Sequence, residues 1–171
     1  LFLNLVTDVF PALALGAGEG DPNAMLRPPR PADEPIVAAR HWRSIGSYGV
    51  LIAGVVLGAL MLSIHSLGLT EPQGTTIAFL TLAFAQLWHV FNMRDPGSGF
   101  VHNDITRNRY VWGALGLCSG LLLAAVYVPG LSTALRTVDP GLRGWAVVLV
   151  GSLVPWGVGQ LSFLWTVRSG T

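Results

Sequence analysis

Asn4, Thr7 and Asp8 stand at i, i+3 and i+4 near the start of the chain, inside an apolar run from Leu1 to Leu15 that also holds Pro11. On an α-helix this spacing puts an amide oxygen, a hydroxyl and a carboxylate on one face. Pro11 has no backbone N–H and its ring clashes with the turn before it, so a carbonyl near Thr7 is freed. Oxygens of these kinds on one face outline a site for a hard cation. The competing reading is a capped helix start, with Thr7 or Asp8 as N-cap ahead of a proline-initiated turn. The setting favours the cation. Asp8 is the only carboxylate inside any apolar span, and a charge at the bilayer centre costs roughly 2.5–3.5 kcal/mol on insertion scales. No Arg or His stands one turn from Asp8 in its own segment. Its partner is therefore a group on another helix or a bound ion.

A second polar patch, Gln86, His89 and Asn92, lies in a later uncharged span. The i, i+3 spacing puts Gln86 and His89 on one face, with Asn92 a turn further on. Interhelical hydrogen bonding, worth about 0.6 kcal/mol per contact in membranes, is the expectation for His89 and Asn92. For Gln86 a ligand role stands level with it. A lone imidazole is a poor transition-metal site. Gln160, near Pro155 and Gly157, reads as a packing contact.

These groups need membrane helices to position them, and the composition supplies them. Just over half of the 171 residues are hydrophobic and 11% are charged, where a soluble domain carries about a quarter. The expected fold is all-α, a polytopic membrane helix bundle of five transmembrane helices. Residues 1–17 form the first, an ion-site helix already under way at Leu1 and so expected to be truncated. Residues 18–43, rich in Gly, Pro and charge, form an aqueous loop with polyproline character around Arg27-Pro28-Pro29-Arg30. Residues 44–171 hold four more spans, at about 44–69, 75–93, 110–131 and 145–167. Between the first two of these, Thr70-Glu71-Pro72-Gln73-Gly74 reads as a tight polar turn. Gly54-x-x-x-Gly58 and Gly116-x-x-x-Gly120 would let other helices approach closely.

All ten basic residues are arginines. Eight lie in the 16–43 loop, the 94–109 loop and the C-terminal tail, and two, Arg136 and Arg143, on the other side. The positive-inside rule then puts the C-terminus in the cytoplasm. Trp42, Trp112, Trp145 and Trp165 fall near span ends as an aromatic belt, while Trp88 and Trp156 lie deeper. Cys118, the single cysteine, excludes an internal disulfide and reads as a buried inert thiol. A net charge of +1 gives no footprint for nucleic acid, and none is expected as a partner. The lipid bilayer is. The arginine-only, Ala/Gly/Leu/Val-rich composition suits a GC-rich bacterial genome.

The run Asn4-Leu5-Val6-Thr7-Asp8-x-x-Pro11-Ala12-x-Ala14-Leu15-Gly16, followed by Met25-x-Arg27-Pro28-Pro29-Arg30, resembles the sixth transmembrane helix and following loop of P-type cation-transporting ATPases, closest to the calcium-pump branch. Gln86-x-x-His89-x-Phe91-Asn92-x-Arg94 is similar to the eighth helix of bacterial members. The five spans would be helices six to ten, in a multi-pass protein of the bacterial plasma membrane. The resemblance implies that Asn4, Thr7 and Asp8 supply ligands to a transported divalent cation, calcium being the expected one. Gln86 matches an eighth-helix position that is a glutamate in two-site calcium pumps, and its neutrality implies one ion per cycle. Val9-Phe10 departs from the Gly-Leu usual before the proline. The Arg27–Arg30 loop would face the phosphorylation domain. ATP and magnesium belong to the full-length protein only: the phosphorylated Asp-Lys-Thr-Gly-Thr motif is not in this lysine-free sequence, nor are the cytoplasmic domains and helices one to five, the expected partners within the same pump. A secondary transporter or channel subunit using Asp8 without ATP is the alternative. An assembly subunit pairing Asp8 with a partner's arginine is a third reading.

Overall fold

The computed structural model describes residues 1–18, 39–93 and 103–169, and every regular element among them is a helix. Helix α1 covers Phe2–Gly16 and contains a π turn at Leu5–Val9. Helix α2 covers Ala39–Met61 and closes on a second π turn, Leu62–Ser66. Helix α3 is Glu71–His89, extended by a 3-10 turn at Val90–Asn92. Helix α4 is the short Asp104–Arg107, α5 is Arg109–Tyr127, α6 is Pro129–Leu135 and α7 is Gly141–Ser169. Four stretches, His41–Ser66, Glu71–Asn92, Arg109–Tyr127 and Gly141–Ser162, are long and apolar enough to cross a membrane, and Phe2–Gly16 is a shorter apolar helix. At about 1.5 Å per residue, α1 reaches about 22 Å against a hydrocarbon core of about 30 Å. The all-α membrane bundle expected from the sequence is the architecture found.

The polar stretch 70–74 is not the turn. Thr70 is an extended N-cap, and the first turn of α3 follows at once with Glu71 and Pro72. Gln73 Oε1 accepts from the Thr70 backbone N–H at 3.1 Å, closing a capping box. The chain reverses just before, through Gly68 at φ 62°, which only a residue without Cβ adopts freely. Pro129 likewise divides the expected 110–131 span. Helix α5 ends at Tyr127, and Val128 serves as the N-cap of α6 because proline suits the first helical turn and not a helix interior. In the polar 94–109 loop, the described part is α4, whose N-cap Asn103 accepts from Thr106 N at 2.8 Å. The proline-rich middle of the 18–43 loop, with Arg27 and Arg30, lies outside the described residues, as do the side chains of Trp165 and Arg168.

Helix α3 is the core. In its most apolar stretch 56% of residues are buried, against 6% for α2, which is packed on one side only. Ile77, Leu80, Thr81, Ala83, Ala85 and Leu87 of α3 are at most 1% exposed. Lipid tails are as apolar as leucine, so close packing rather than water exclusion holds such helices together. The closest packing is a glycine seam on α7. A Cβ at Gly144 would lie 2.6 Å from Pro140 Cβ and 2.9 Å from Ile77 Cδ1, and one at Gly151 would lie 3.2 Å from Thr81 Cγ2. At Gly159 it would collide with the Tyr48 hydroxyl and the Asn92 amide. Gly54, Gly58, Gly116 and Gly120 meet nothing within 4 Å. Those two motifs do not seat helices of the described bundle on one another.

Trp88 bridges α3 to α7, its Nε1 donating to Ser152 Oγ at 3.3 Å. Trp42 and Trp112 are exposed near the starts of α2 and α5, Trp156 is half-buried, and Cys118 is fully buried. At the loop end, Trp145 Nε1 donates to Tyr127 Oη at 2.9 Å and Tyr127 Oη to Asp139 Oδ1 at 3.1 Å. Val138 N donates to Thr76 Oγ1 at 3.0 Å. Tyr127→Phe removes two partly solvated hydrogen bonds, so melting of the detergent-solubilised full-length protein should show a loss of about 1 kcal/mol; no change would mean that water replaces both.

Helices α1 and α3 run parallel. Phe2 stacks on Phe79 with centroids 6.5 Å apart near one end. At the other, Ala14 O is bound by Asn108, which follows α3 and α4 in the chain. The second half of α1 packs on α5, and its π turn touches both α3 and α5.

Candidate cation site

The first four N–H groups and last four carbonyls of any helix need outside partners, but α1 loosens in its middle. The five residues Leu5–Val9 are π-wound, a form met mostly as single turns at functional sites, and the turn sits immediately ahead of Pro11, which has no N–H to bond back with. Two of the sequence candidates, Thr7 and Asp8, lie inside it.

Thr7 is buried, 7% exposed, beside the fully buried Val6. Asp8 and Asn4 are exposed on the outside of the described bundle. A π turn advances each residue through a smaller angle than an α turn does. Asn4 and Asp8 therefore stay roughly in line while Thr7 turns inward, so the one-face arrangement expected from α-helical spacing is not what forms. The Thr7 and Asp8 oxygens nevertheless meet. Thr7 Oγ1 lies 3.0 Å from Asp8 Oδ1 and 3.0 Å from Leu3 O. A hydroxyl has one proton, so Thr7 donates to one of these acceptors at a time and keeps lone pairs for a cation. Among the described residues no arginine pairs with Asp8. None of them gathers three His, Cys, Asp or Glu side chains as a metal site either. Among the described residues, Asp8 is the one carboxylate in this turn.

Gln86 lies on α3, seven residues beyond Phe79, whose ring stacks on Phe2 of α1. Gln86 Oε1 is buried without a hydrogen-bond partner, as is Thr81 Oγ1, a site the sequence reading passed over because threonine is commonplace in such helices. An unpaired buried acceptor costs about 1–3 kcal/mol.

His89 and Asn92 belong to a different cluster. The Asn92 amide lies 3.3 Å from His89 Nδ1, Gln160 Nε2 donates to Asn92 Oδ1 at 2.6 Å, and the Tyr48 ring tilts against the imidazole at 4.8 Å. The Asn92–Gln160 bond joins α3 to α7 and the Tyr48–His89 ring contact joins α2 to α3, beside Gly159. Asn92 and Gln160 thus make the interhelical contact expected of them, while the His89 hydrogen bond stays within α3.

The family model described as "Cation transporting ATPase, C-terminus" matches residues 1–165. The calcium-transporting ATPase of Bacillus subtilis is 35% identical over 155 residues, covering 91% of this chain and 17% of that protein. Calcium-transporting ATPase 1 of Bacillus cereus is 30% identical over 94% of this chain and 20% of its own length. Calcium-transporting ATPase type 2C member 2 of Mus musculus is 30% identical over 80% and 14%. The chain thus spans about a fifth or less of the length of these relatives. With four helices among the described residues long and apolar enough to cross a membrane, the match makes this a multi-pass membrane protein segment, and the chain belongs to the P-type cation-transporting ATPases as their C-terminal membrane region.

Proposed function

We propose that Asn4, Thr7, Asp8 and Gln86 provide part of the transmembrane site of a calcium pump driven by ATP and magnesium bound elsewhere in the full-length protein. Three observations support this. The Asp8 carboxylate and the Thr7 hydroxyl converge at 3.0 Å in a π-wound turn. Asp8 faces outward from the bundle, where contact with lipid would cost roughly 2.5–3.5 kcal/mol, so other helices of the longer protein cover that face and complete the ligand set. Gln86 Oε1 is a buried acceptor in want of a donor or a cation. The observation that carries the reading is the first.

In mechanism, Thr7 donates its proton to Leu3 O or Asp8 Oδ1 and turns a lone pair to the ion. Asp8 supplies the charge and Asn4 a neutral oxygen. With one carboxylate in this half and a neutral Gln86, the site takes a single divalent ion. Phosphorylation in the cytoplasmic domains then moves α1 and changes the membrane face to which the site opens, a population shift driven by a covalent switch. The arginine distribution orients the 18–43 loop, the 94–109 loop and the C-terminus toward the cytoplasm of a bacterial cell, with the pump in its plasma membrane.

The test is ATP hydrolysis by the full-length protein with calcium, manganese and magnesium compared as activating ions. Calcium should stimulate at concentrations well below those at which the others do, since it tolerates irregular oxygen cages and magnesium demands octahedral ones. Stimulation by manganese first would reassign the ion, and stimulation by no divalent cation would overturn the reading.

A further inference from the structure

Helix α1 ends with an unusual division of labour among its last carbonyls. Ala17 N donates to Leu13 O at 3.0 Å and Gly18 N to Leu15 O at 3.1 Å. In a continuing helix the Gly18 amide would have bonded Ala14 O. Ala14 O instead accepts from Asn108 Nδ2 at 2.8 Å, across 94 residues of chain. The same amide works in the opposite sense at its own helix, where Asn108 Oδ1 accepts from Tyr110 N at 2.9 Å as the N-cap of α5. One side chain therefore caps the C-terminal end of α1 and the N-terminal end of α5.

The orientation of that amide is settled by its partners. One is a carbonyl, which only accepts, and the other an N–H, which only donates, so the flip is fixed. No other side chain of this length meets both demands. Aspartate is as good an N-cap but has no donor for Ala14 O. Serine caps but is too short to reach in both directions. The space is made by glycine: a Cβ on Gly18 would lie 2.7 Å from Asn108 Nδ2 and 3.1 Å from Leu15 O.

We propose that Asn108 is a positioning residue for cation binding, a brace that ties the end of α1 to α5 and so holds Thr7 and Asp8 in register with the rest of the site. Ala14 follows Asp8 by six residues, about 9 Å along the helix, and Pro11 between them denies α1 a full set of its own hydrogen bonds. The brace replaces order that the helix cannot supply internally. The proposal rests on the transport reading for its consequence and on geometry alone for the contact.

The experiment uses the full-length pump with Asn108→Asp, Asn108→Ser and Gly18→Ala. The two Asn108 variants keep the α5 cap and cut the link to Ala14; Gly18→Ala pushes the amide away. Each should weaken the apparent cation affinity for phosphorylation from ATP by about three- to tenfold, the size of one lost hydrogen bond. Maximal phosphoenzyme should stay near wild type, and the loss of affinity should not follow, from variant to variant, the small loss of melting temperature that a broken hydrogen bond brings. Gly18→Ala combined with Asn108→Ser should be no worse than either alone, because both break one contact. Amide exchange at Leu15–Gly18, measured on the same proteins, should accelerate whatever the pump transports. Unchanged exchange in Asn108→Asp overturns the brace. Faster exchange with unchanged cation dependence, or an affinity loss that only tracks melting, overturns its role in binding. A wild-type protein that forms no cation-dependent phosphoenzyme sinks the transport reading instead, and leaves the exchange result to decide on the contact.

Discussion

If the proposed site holds, Asp8→Asn in the full-length protein should abolish cation-dependent phosphorylation while leaving the protein folded. Asparagine has the same shape, and its Oδ1 still accepts from Thr7 at the 3.0 Å seen here, so the substitution removes charge and nothing else from the turn. In the proposed site, covered by the rest of the longer protein, the carboxylate and its cation form a buried charged pair, and removing one partner of such a pair costs about 3–5 kcal/mol, which is roughly a hundredfold or more in apparent affinity. Phosphoenzyme formation from ATP should need at least that much more cation or fail altogether. If instead the variant keeps its cation dependence, the ion is held elsewhere and Asp8 is neutralised by the protein.

The largest effect on stability is expected at Gly144. Its missing Cβ faces Pro140 Cβ at 2.6 Å and Ile77 Cδ1 at 2.9 Å. Neither can retreat: a proline ring has no rotamers to change, and Ile77 is fully buried on α3. Overpacking of this kind costs about 1–3 kcal/mol for a methyl and more for larger groups. Gly144→Ala should lower the melting temperature of the detergent-solubilised pump by several degrees, about what that energy gives, and Gly144→Leu should abolish stable expression. Gly157→Ala is the control, because nothing lies within 4 Å of its Cβ position and alanine is the better helix former by about 1 kcal/mol. Equal losses at both positions would mean that the seam between α3 and α7 is looser than described.

Much of this was legible in residue order. Long uncharged stretches announce membrane helices, and a lone aspartate in one of them marks a candidate site, because lipid makes both conspicuous. Membership of an ATP-driven family now stands against the secondary-transporter and channel readings of that aspartate. Three features were not legible, each for a physical reason. The close helix contact uses Gly144, Gly151 and Gly159, spaced seven and eight apart, while the glycines that stand four apart, Gly54/Gly58 and Gly116/Gly120, seat nothing in the described bundle. Thr70-Glu71-Pro72-Gln73 contains residues favoured both in turns and in first helical turns, and only the capping box decides. Asn108, a polar residue beside a loop, carries no periodic signal, since its importance lies in a partner 94 residues away.

The two π turns bear on how this chain should be matched to others. Each wide turn takes in one residue more than an α turn closing the same stretch, which resets the azimuth of everything after it by about 100°. Pro11 and Ala14, both buried, owe their inward phase to the winding of Leu5–Val9. Losing one residue from those five would restore an ordinary α turn and swing the far half of the helix off its seat on α5. A homologue one residue shorter here would thus preserve every ligand type while aiming its C-terminal half somewhere else.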